Sequence, residues 1–195
     1  GVDWHYSKPA RLPARAGAPA NEVAVPADAV ATYPPIVLAF AATDPSGGAG
    51  LQADVLTLAS MGCHPLCVAT AITVRDTLSA EGFLALEAEW VADQARCLLE
   101  DMAVDAFKIG ALGSVENVTA IAEIISDYPD VPLVLDPVHA SGHGDESAAD
   151  ELVHAIRELL LPQATIVTPN GIEARRLAEA DDADEPALSV CAERL

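Results

Sequence analysis

The sequence predicts an α/β protein built on a mostly parallel sheet with helices on both faces, and three observations carry that reading. From Ile36 onward, short apolar runs of buried-strand type alternate with segments whose apolar residues recur at helical spacing. Polar or glycine-rich clusters follow the carboxyl ends of those runs, where ligands sit in such sheets. The 51% apolar content over 195 residues suits one domain with a sizeable core.

Taken in order, residues 1–34 stand apart. Pro9, Pro13, Pro19, Pro26 and Pro34 break any periodicity, and an extended or disordered leader is expected there, with Trp4 and Tyr6 as local anchors. Residues 35–195 form the domain. Ile36 to Ala42 is the first strand, closed by Asp44-Pro45 and a glycine cluster. Leu51, Val55 and Leu58 mark a helix, with Gly62 just past its end. Leu66 to Val74 is one strand-like run. A helix with Val91, Ala95, Leu98, Leu99 and Met102 leads to the strand Ala106 to Ile109.

Ser114 can cap the next helix, whose Val118, Ile121, Ala122 and Ile125 share one face. Val131 to Leu135 is a buried strand that ends in Asp136-Pro137. A helix through Leu152, Val153, Ile156, Leu159 and Leu160 stops at Pro162. Thr165 to Thr168 is the last strand, and Pro169-Asn170 opens a helix.

Thirty acidic residues against ten basic ones give a formal charge of −20, with Lys8 and Lys108 the two lysines. No basic stripe exists to neutralise phosphates, so nucleic acid is excluded as a partner. No apolar run reaches a membrane span and no secretory pattern opens the chain, so a cytoplasmic protein is expected. Cys63, Cys67, Cys97 and Cys191 are too scattered for a disulfide scaffold or zinc site and are expected as buried free thiols.

The strongest local signal is Thr43-Asp-Pro-Ser-Gly-Gly-Ala-Gly50, a glycine-rich turn between strand and helix. Its glycines allow close backbone approach to a ligand, and a helix N-terminus follows. It lacks the lysine and spacing of a P-loop and the spacing of a dinucleotide loop. A tight turn with no ligand is the plain structural alternative.

This segment, continued by Leu51-Gln-Ala-Asp54, resembles the signature of hydroxymethylpyrimidine and phosphomethylpyrimidine kinases. So do Lys108-Ile-Gly110, Val134-Leu-Asp-Pro-Val138, Ser141 with Gly144-Asp145, Leu160-Leu-Pro162, and Thr168-Pro-Asn170 with Glu173-Ala174, in the family's order. The resemblance covers roughly residues 36–180. It implies a ribokinase-like three-layer α/β/α fold and ATP-dependent phosphorylation of hydroxymethylpyrimidine or its monophosphate in thiamine synthesis. Pyridoxal kinases share some of these elements, so a pyridoxal-type or other ring substrate stands as an alternative.

The resemblance further implies a substrate pocket from Ala42, Asp44, Gly47, Gly48, Ala49, Asp54, Arg75 and Val138. Lys108, Asp136, Asn170 and Glu173 belong on the ATP and Mg²⁺ side, with Asp136 and Glu173 holding the metal through water. Asn170 as helix cap and Glu173 as capping-box partner are the structural alternatives. For Lys108 the alternative is a salt bridge. His139 and His143 could touch a phosphate or lie solvated.

One departure concerns specificity. The family reads Ala-Gln-Asn-Thr after the second strand, and its Gln reads the aminopyrimidine edge; this chain has Val74-Arg-Asp-Thr77. Arginine offers donors only, so it fits a carboxylate, phosphate or carbonyl, and Arg75→Gln is expected to shift preference toward hydroxymethylpyrimidine. A salt bridge to Asp76 or Asp54 is the alternative. The family's Lys-Gly-Gly-His-like and Gly-Thr-Gly-Cys motifs do not occur, and Cys191 cannot be equated with the latter's Cys. The fold is therefore expected to be truncated at its C-terminal end. No catalytic residue is assigned, useful phosphate transfer by the isolated chain is not expected, and a ligand-binding module is the rival reading. The strand Thr165 to Thr168, which in the family has a further strand beside it, is expected to be uncovered here and to favour self-association, including a homodimer.

Overall fold

The computed structural model describes residues 34–138, 146–178 and 187–195, all within the unit Pro34–Leu195. The expected leader with Trp4 and Tyr6, and the residues His139, Ser141 and His143, lie outside the described residues.

Five strands form a parallel sheet: β1 (Ile36–Ala41), β2 (His64–Ala69), β5 (Ala106–Ile109), β6 (Leu133–Leu135) and β7 (Ile166–Val167), in the order β2-β1-β5-β6-β7. Among the described residues six α-helices accompany them: α1 (Gly50–Ser60), α2 (Ala88–Asp101), α3 (Val115–Ser126), α4 (Glu146–Ala155), α5 (Gly171–Leu177) and α6 (Leu188–Arg194).

Alternation along β1 shows how the layers form. Leu38 and Phe40 point into the large core with Val91 and Ala95 of α2, Val118 and Ile121 of α3, and Leu152 and Val153 of α4. Ala39 and Ala41 point the other way, onto Leu51 of α1. Small residues on that face let α1 lie close to the sheet. The large core is aromatic at its centre, with the Phe40 and Phe107 rings 6.3 Å apart and Tyr128 edge-on to Phe107 at 5.9 Å.

Several expectations need correction. The run Leu66 to Val74 is two strands in two sheets. It breaks at Thr70, and β3 (Ala71–Arg75) pairs antiparallel with β4 (Ala80–Ala85), a strand the sequence reading passed over. The break is held by tertiary hydrogen bonds. Thr70 N–H donates to Ala41 O and its hydroxyl to Ala111 O, while its carbonyl accepts from Leu86 N–H.

The helix expected to run to Pro162 is regular only to Ala155. A π turn spans Ile156–Leu160 and a 3₁₀ turn Leu161–Gln163 contains the proline, which cannot donate the next helical bond. The strand expected from Val131 begins at Leu133. All four cysteines are free, but only Cys191 is buried; Cys67 and Cys97 are exposed and Cys63 is intermediate. Among the described residues no helix is long and apolar enough to cross a membrane.

Candidate functional site

The chain leaves β1 toward β2 on one side of the sheet and leaves β5 toward β6 on the other, so a crevice opens at the carboxyl ends of β1 and β5. A cavity of about 380 Å³ lies there. Ala42 and Asp44 after β1, Ala49 and Asp54 at α1, Arg75 of β3, and Val138 after β6 all line it. Gly47 instead borders a separate groove with Pro45, Leu56 and Cys67, and Gly48 lines neither.

The turn between β1 and α1 depends on one glycine. Gly50 has φ +59°, and a Cβ there would collide with the Ala42 carbonyl oxygen. That same oxygen accepts the Leu51 N–H at 3.0 Å. The first turn of α1 is thus pinned against the end of β1, which sets Ala49 and Asp54 at the cavity wall.

Register explains the lysine. In β5, Phe107 and Ile109 enter the large core, so Lys108 points to the α1 face beside its register partner Ala39. Its Nζ donates to Asp54 Oδ2 at 2.9 Å, and Asp136 Oδ2 lies 4.0 Å away. The salt bridge and the cavity position coexist, since Lys108, Asp54 and Asp136 all line the cavity. Gly110 keeps this corner open, because a Cβ there would come within 3.0 Å of Lys108 Nζ.

Arg75 pairs with neither expected carboxylate. Its Nη1 lies 3.6 Å from Asp44 Oδ2, and its Nε donates to the Asp76 backbone carbonyl at 3.2 Å. Asp54 is taken by Lys108, and the Asp76 carboxylate accepts the Leu78 and Ser79 N–H groups in the β3–β4 turn. Asp44 is buried, and its Oδ1 accepts both the hydroxyl and the N–H of Ser46, at 2.7 and 2.9 Å. The Ser46 hydroxyl above all, helped by its N–H and by the Arg75 charge, holds Asp44 below the usual carboxylate range in spite of its burial.

On the other side, Asn170 caps α5 by accepting from Ile172 and Glu173 N–H, while Glu173 accepts from Asn170 N–H at 2.8 Å. Both residues therefore serve a complete capping box. Asn170 borders a separate small pocket with Leu188 and Leu195. Asp136 is the more available carboxylate: its side chain is 36% exposed, and its Oδ1 accepts a long bond from Thr168 Oγ1. Among the described residues no three acidic, histidine or cysteine side chains cluster as a metal site.

Sequence reasoning missed the wall that β3 and β4 supply. Thr73, Ala80 and Phe83 line the cavity, while Ile72, Val74 and Leu84 alternate outward into solvent. The alternation of β3 was hidden in a continuous apolar run, and Ala80-Glu-Gly-Phe-Leu-Ala85 has weak strand propensity. Asn117 was missed too. It is fully buried at the start of α3, and its Nδ2 reaches the carbonyls of Thr70, Leu86 and Leu112. It ties the base of the β3–β4 hairpin to the sheet.

Residues 44–195 match the family profile described as phosphomethylpyrimidine kinase. The chain is a member of that family. It is 40% identical over 161 residues to the hydroxymethylpyrimidine/phosphomethylpyrimidine kinase of Mycobacterium leprae, a match that covers 82% of this chain and 58% of the relative. The crystal structure of phosphomethylpyrimidine kinase from Clostridium difficile 630 superposes with a TM-score of 0.68 at 33% identity, over 77% of this chain and 66% of that one. A Bacillus subtilis pyridoxal kinase solved as an ADP complex gives a TM-score of 0.72 at 28% identity, over 82% and 61%.

The chain thus spans less than two thirds of the length of each of these proteins. As a phosphomethylpyrimidine kinase family member it carries the ribokinase-like fold: a mostly parallel sheet, with α1 on one face and α2, α3 and α4 on the other.

Proposed function

We propose that this chain forms the ring-binding part of an ATP-dependent kinase that phosphorylates hydroxymethylpyrimidine or its monophosphate for thiamine synthesis. One observation carries the reading: the cavity at the carboxyl ends of β1 and β5 brings the Asp54–Lys108 pair, from two separate family motifs, to one wall. Its volume suits a single substituted ring. The names of the relatives support a pyrimidine, and the ADP complex of the pyridoxal kinase supports a nucleotide donor.

In this reading Asp54 orients the acceptor hydroxyl and Lys108 fixes the carboxylate that does so. Ala49 and Val138 flank the ring. Asp136, which lines the cavity beside Lys108, is the residue that fits Mg²⁺, which commonly keeps several waters and takes one or two carboxylates. Bound there with ATP, the ion would neutralise phosphate charge. Asn170 and Glu173 contribute by fixing the N-terminus of α5, because their side chains serve the capping box.

Titration calorimetry of hydroxymethylpyrimidine into the chain tests this, followed by a product assay with ATP and magnesium. Saturable binding that is weakened at least about tenfold by Asp54→Ala is expected, on the scale of a lost charged hydrogen bond. Absence of saturable binding, or unchanged affinity in Asp54→Ala, overturns the reading.

A further inference from the structure

We propose that Arg75 is a positioning residue. Through Asp44 it clasps the outer half of the β3–β4 hairpin to the glycine-rich turn and so controls entry of a ring into the cavity. This rests on the reading of the cavity as a ring site and adds what governs access to it. Asp44 and Ala49 line the cavity from the turn, while Thr73, Arg75, Ala80 and Phe83 line it from the hairpin. The gap between hairpin and turn therefore sets its width.

The hairpin is fastened unevenly. Its base is tied by main-chain bonds: Thr43 N–H donates to Ala71 O, Leu86 N–H to Thr70 O, and Thr73 N–H to Thr43 Oγ1. Beyond Thr73, among the described residues, the Arg75–Asp44 pair is the single ion pair or hydrogen bond from residues 74–84 to anything outside the hairpin. Val74, Leu78 and Leu84 are exposed and anchor nothing inward. Phe83 gives apolar support over Gly113, where a Cβ would come within 3.3 Å of its ring. A two-stranded ribbon is marginal without such support, so its outer half is held shut only as firmly as Phe83 and the ion pair hold it.

The two halves of the pair are mounted differently. Asp44 is fixed in the turn: its carboxylate accepts from the Ser46 hydroxyl and N–H and from the Ala49 N–H, and its own N–H donates to Gln52 Oε1 at 2.6 Å. It cannot follow the hairpin outward. Arg75 travels with the hairpin, where its Nε donates to the Asp76 carbonyl. It sits at the register irregularity between Val74 and Arg75, the kind of feature that re-aims a side chain. At 3.6 Å, Nη1 is beyond hydrogen-bond reach, and the Arg75 side chain keeps 31% of its exposure. The link is thus charge attraction open to water, weak enough to part and re-form without unfolding the domain.

Line-shape NMR of hydroxymethylpyrimidine with the whole chain, joined to hydrogen exchange of the free protein, tests the clasp. Arg75→Met and Asp44→Asn are each expected to speed ring release by about twofold to fivefold, the span of a partly exposed ion pair, with Arg75→Lys close to wild type. Exchange in the free variants should quicken in residues 74–82 and not in β1. In mildly alkaline buffer the aminopyrimidine is uncharged, so raising salt from about 0.05 to about 0.5 M should speed release from the wild type and leave Arg75→Met unmoved. That arm needs no variant to show the effect. Effects of Arg75→Met and Asp44→Asn that simply add in the double variant would mean that Arg75 acts on the ring and not through Asp44, which overturns the clasp. Wild-type release indifferent to salt, or faster exchange in residues 74–82 with release unchanged, overturns it too. If hydroxymethylpyrimidine does not bind, the pyrimidine reading falls, and unchanged exchange in Arg75→Met would then remove the clasp as well.

Discussion

Lys108 Nζ lies 2.9 Å from Asp54 Oδ2, and this bond joins the middle of a core strand to the first turns of the helix that follows the glycine-rich turn. The two side chains retain 21% and 17% of their exposure, so the pair sits at the cavity rim between solvent and core. It therefore links the stability of the α1–β5 contact to the shape of the candidate site.

Lys108→Met is expected to lower stability by about 1–2 kcal/mol, since it leaves Asp54 with a weakened set of partners in a partly desolvated place. Asp54→Asn should cost about the same, and the double variant less than the sum. Urea unfolding of the four proteins checks this through the coupling energy. Strict additivity would mean that the pair is screened as a surface bridge is.

The order of strands and helices was readable because the core segments are apolar at clean periods. Phe107 and Ile109 alternate with Lys108, and Val118, Ile121, Ala122 and Ile125 repeat along one helix face. The capping box of α5 was equally local, needing only Asn170 and Glu173 three residues apart. What escaped depends on distant partners. Thr70 ends β2 because of Ala41 and Ala111, and nothing between Leu66 and Val74 marks that break. Arg75 meets Asp44 rather than its neighbour Asp76 because the hairpin folds back over the glycine-rich turn, where Thr73 N–H donates to Thr43 Oγ1. Sequence proximity favoured the wrong carboxylate.

Gly50→Ala should disturb both fold and site. The residue occupies positive φ, and a methyl group would press on the Ala42 carbonyl oxygen that caps the first turn of α1. Backbone strain of this kind costs about 1–3 kcal/mol, and the steric clash adds to it. A fall in Tm accompanied by weaker ring binding is expected in thermal melts and calorimetry. Unchanged stability would show that the turn relaxes without help from glycine.

Asn117→Ala removes one buried amide and leaves three carbonyls, on Thr70, Leu86 and Leu112, without that donor. Thr70 and Leu86 flank the β3–β4 hairpin, so the loss falls on the hinge of the cavity wall. A destabilisation of about 2–4 kcal/mol is expected from buried groups left unsatisfied together with the small void. Hydrogen exchange should report faster opening in residues 71–85 than in β1 or β5. Uniform acceleration across the sheet would argue against a local hinge role.

The pH dependence of stability has a defined sign at Asp76. Its Oδ1 accepts the Leu78 and Ser79 N–H groups, each at 2.8 Å, inside the turn joining β3 to β4. The Ser79 bond first, then the Leu78 bond, holds the Asp76 carboxyl below its ordinary value of 3.8. A carboxylate depressed in the folded state stabilises above its unfolded pKa, and that contribution drains away as pH falls through the folded value. The acid limb of the stability curve, below about pH 4 on ordinary carboxylate values, should therefore be steeper in the wild type than in Asp76→Asn. Asparagine keeps an accepting oxygen for the turn and does not titrate there. Asp44 is depressed in the same direction, so some slope should survive the substitution. Urea unfolding at a series of acidic pH values measures both limbs. Parallel limbs for the two proteins would show that the turn draws nothing from the charge of Asp76.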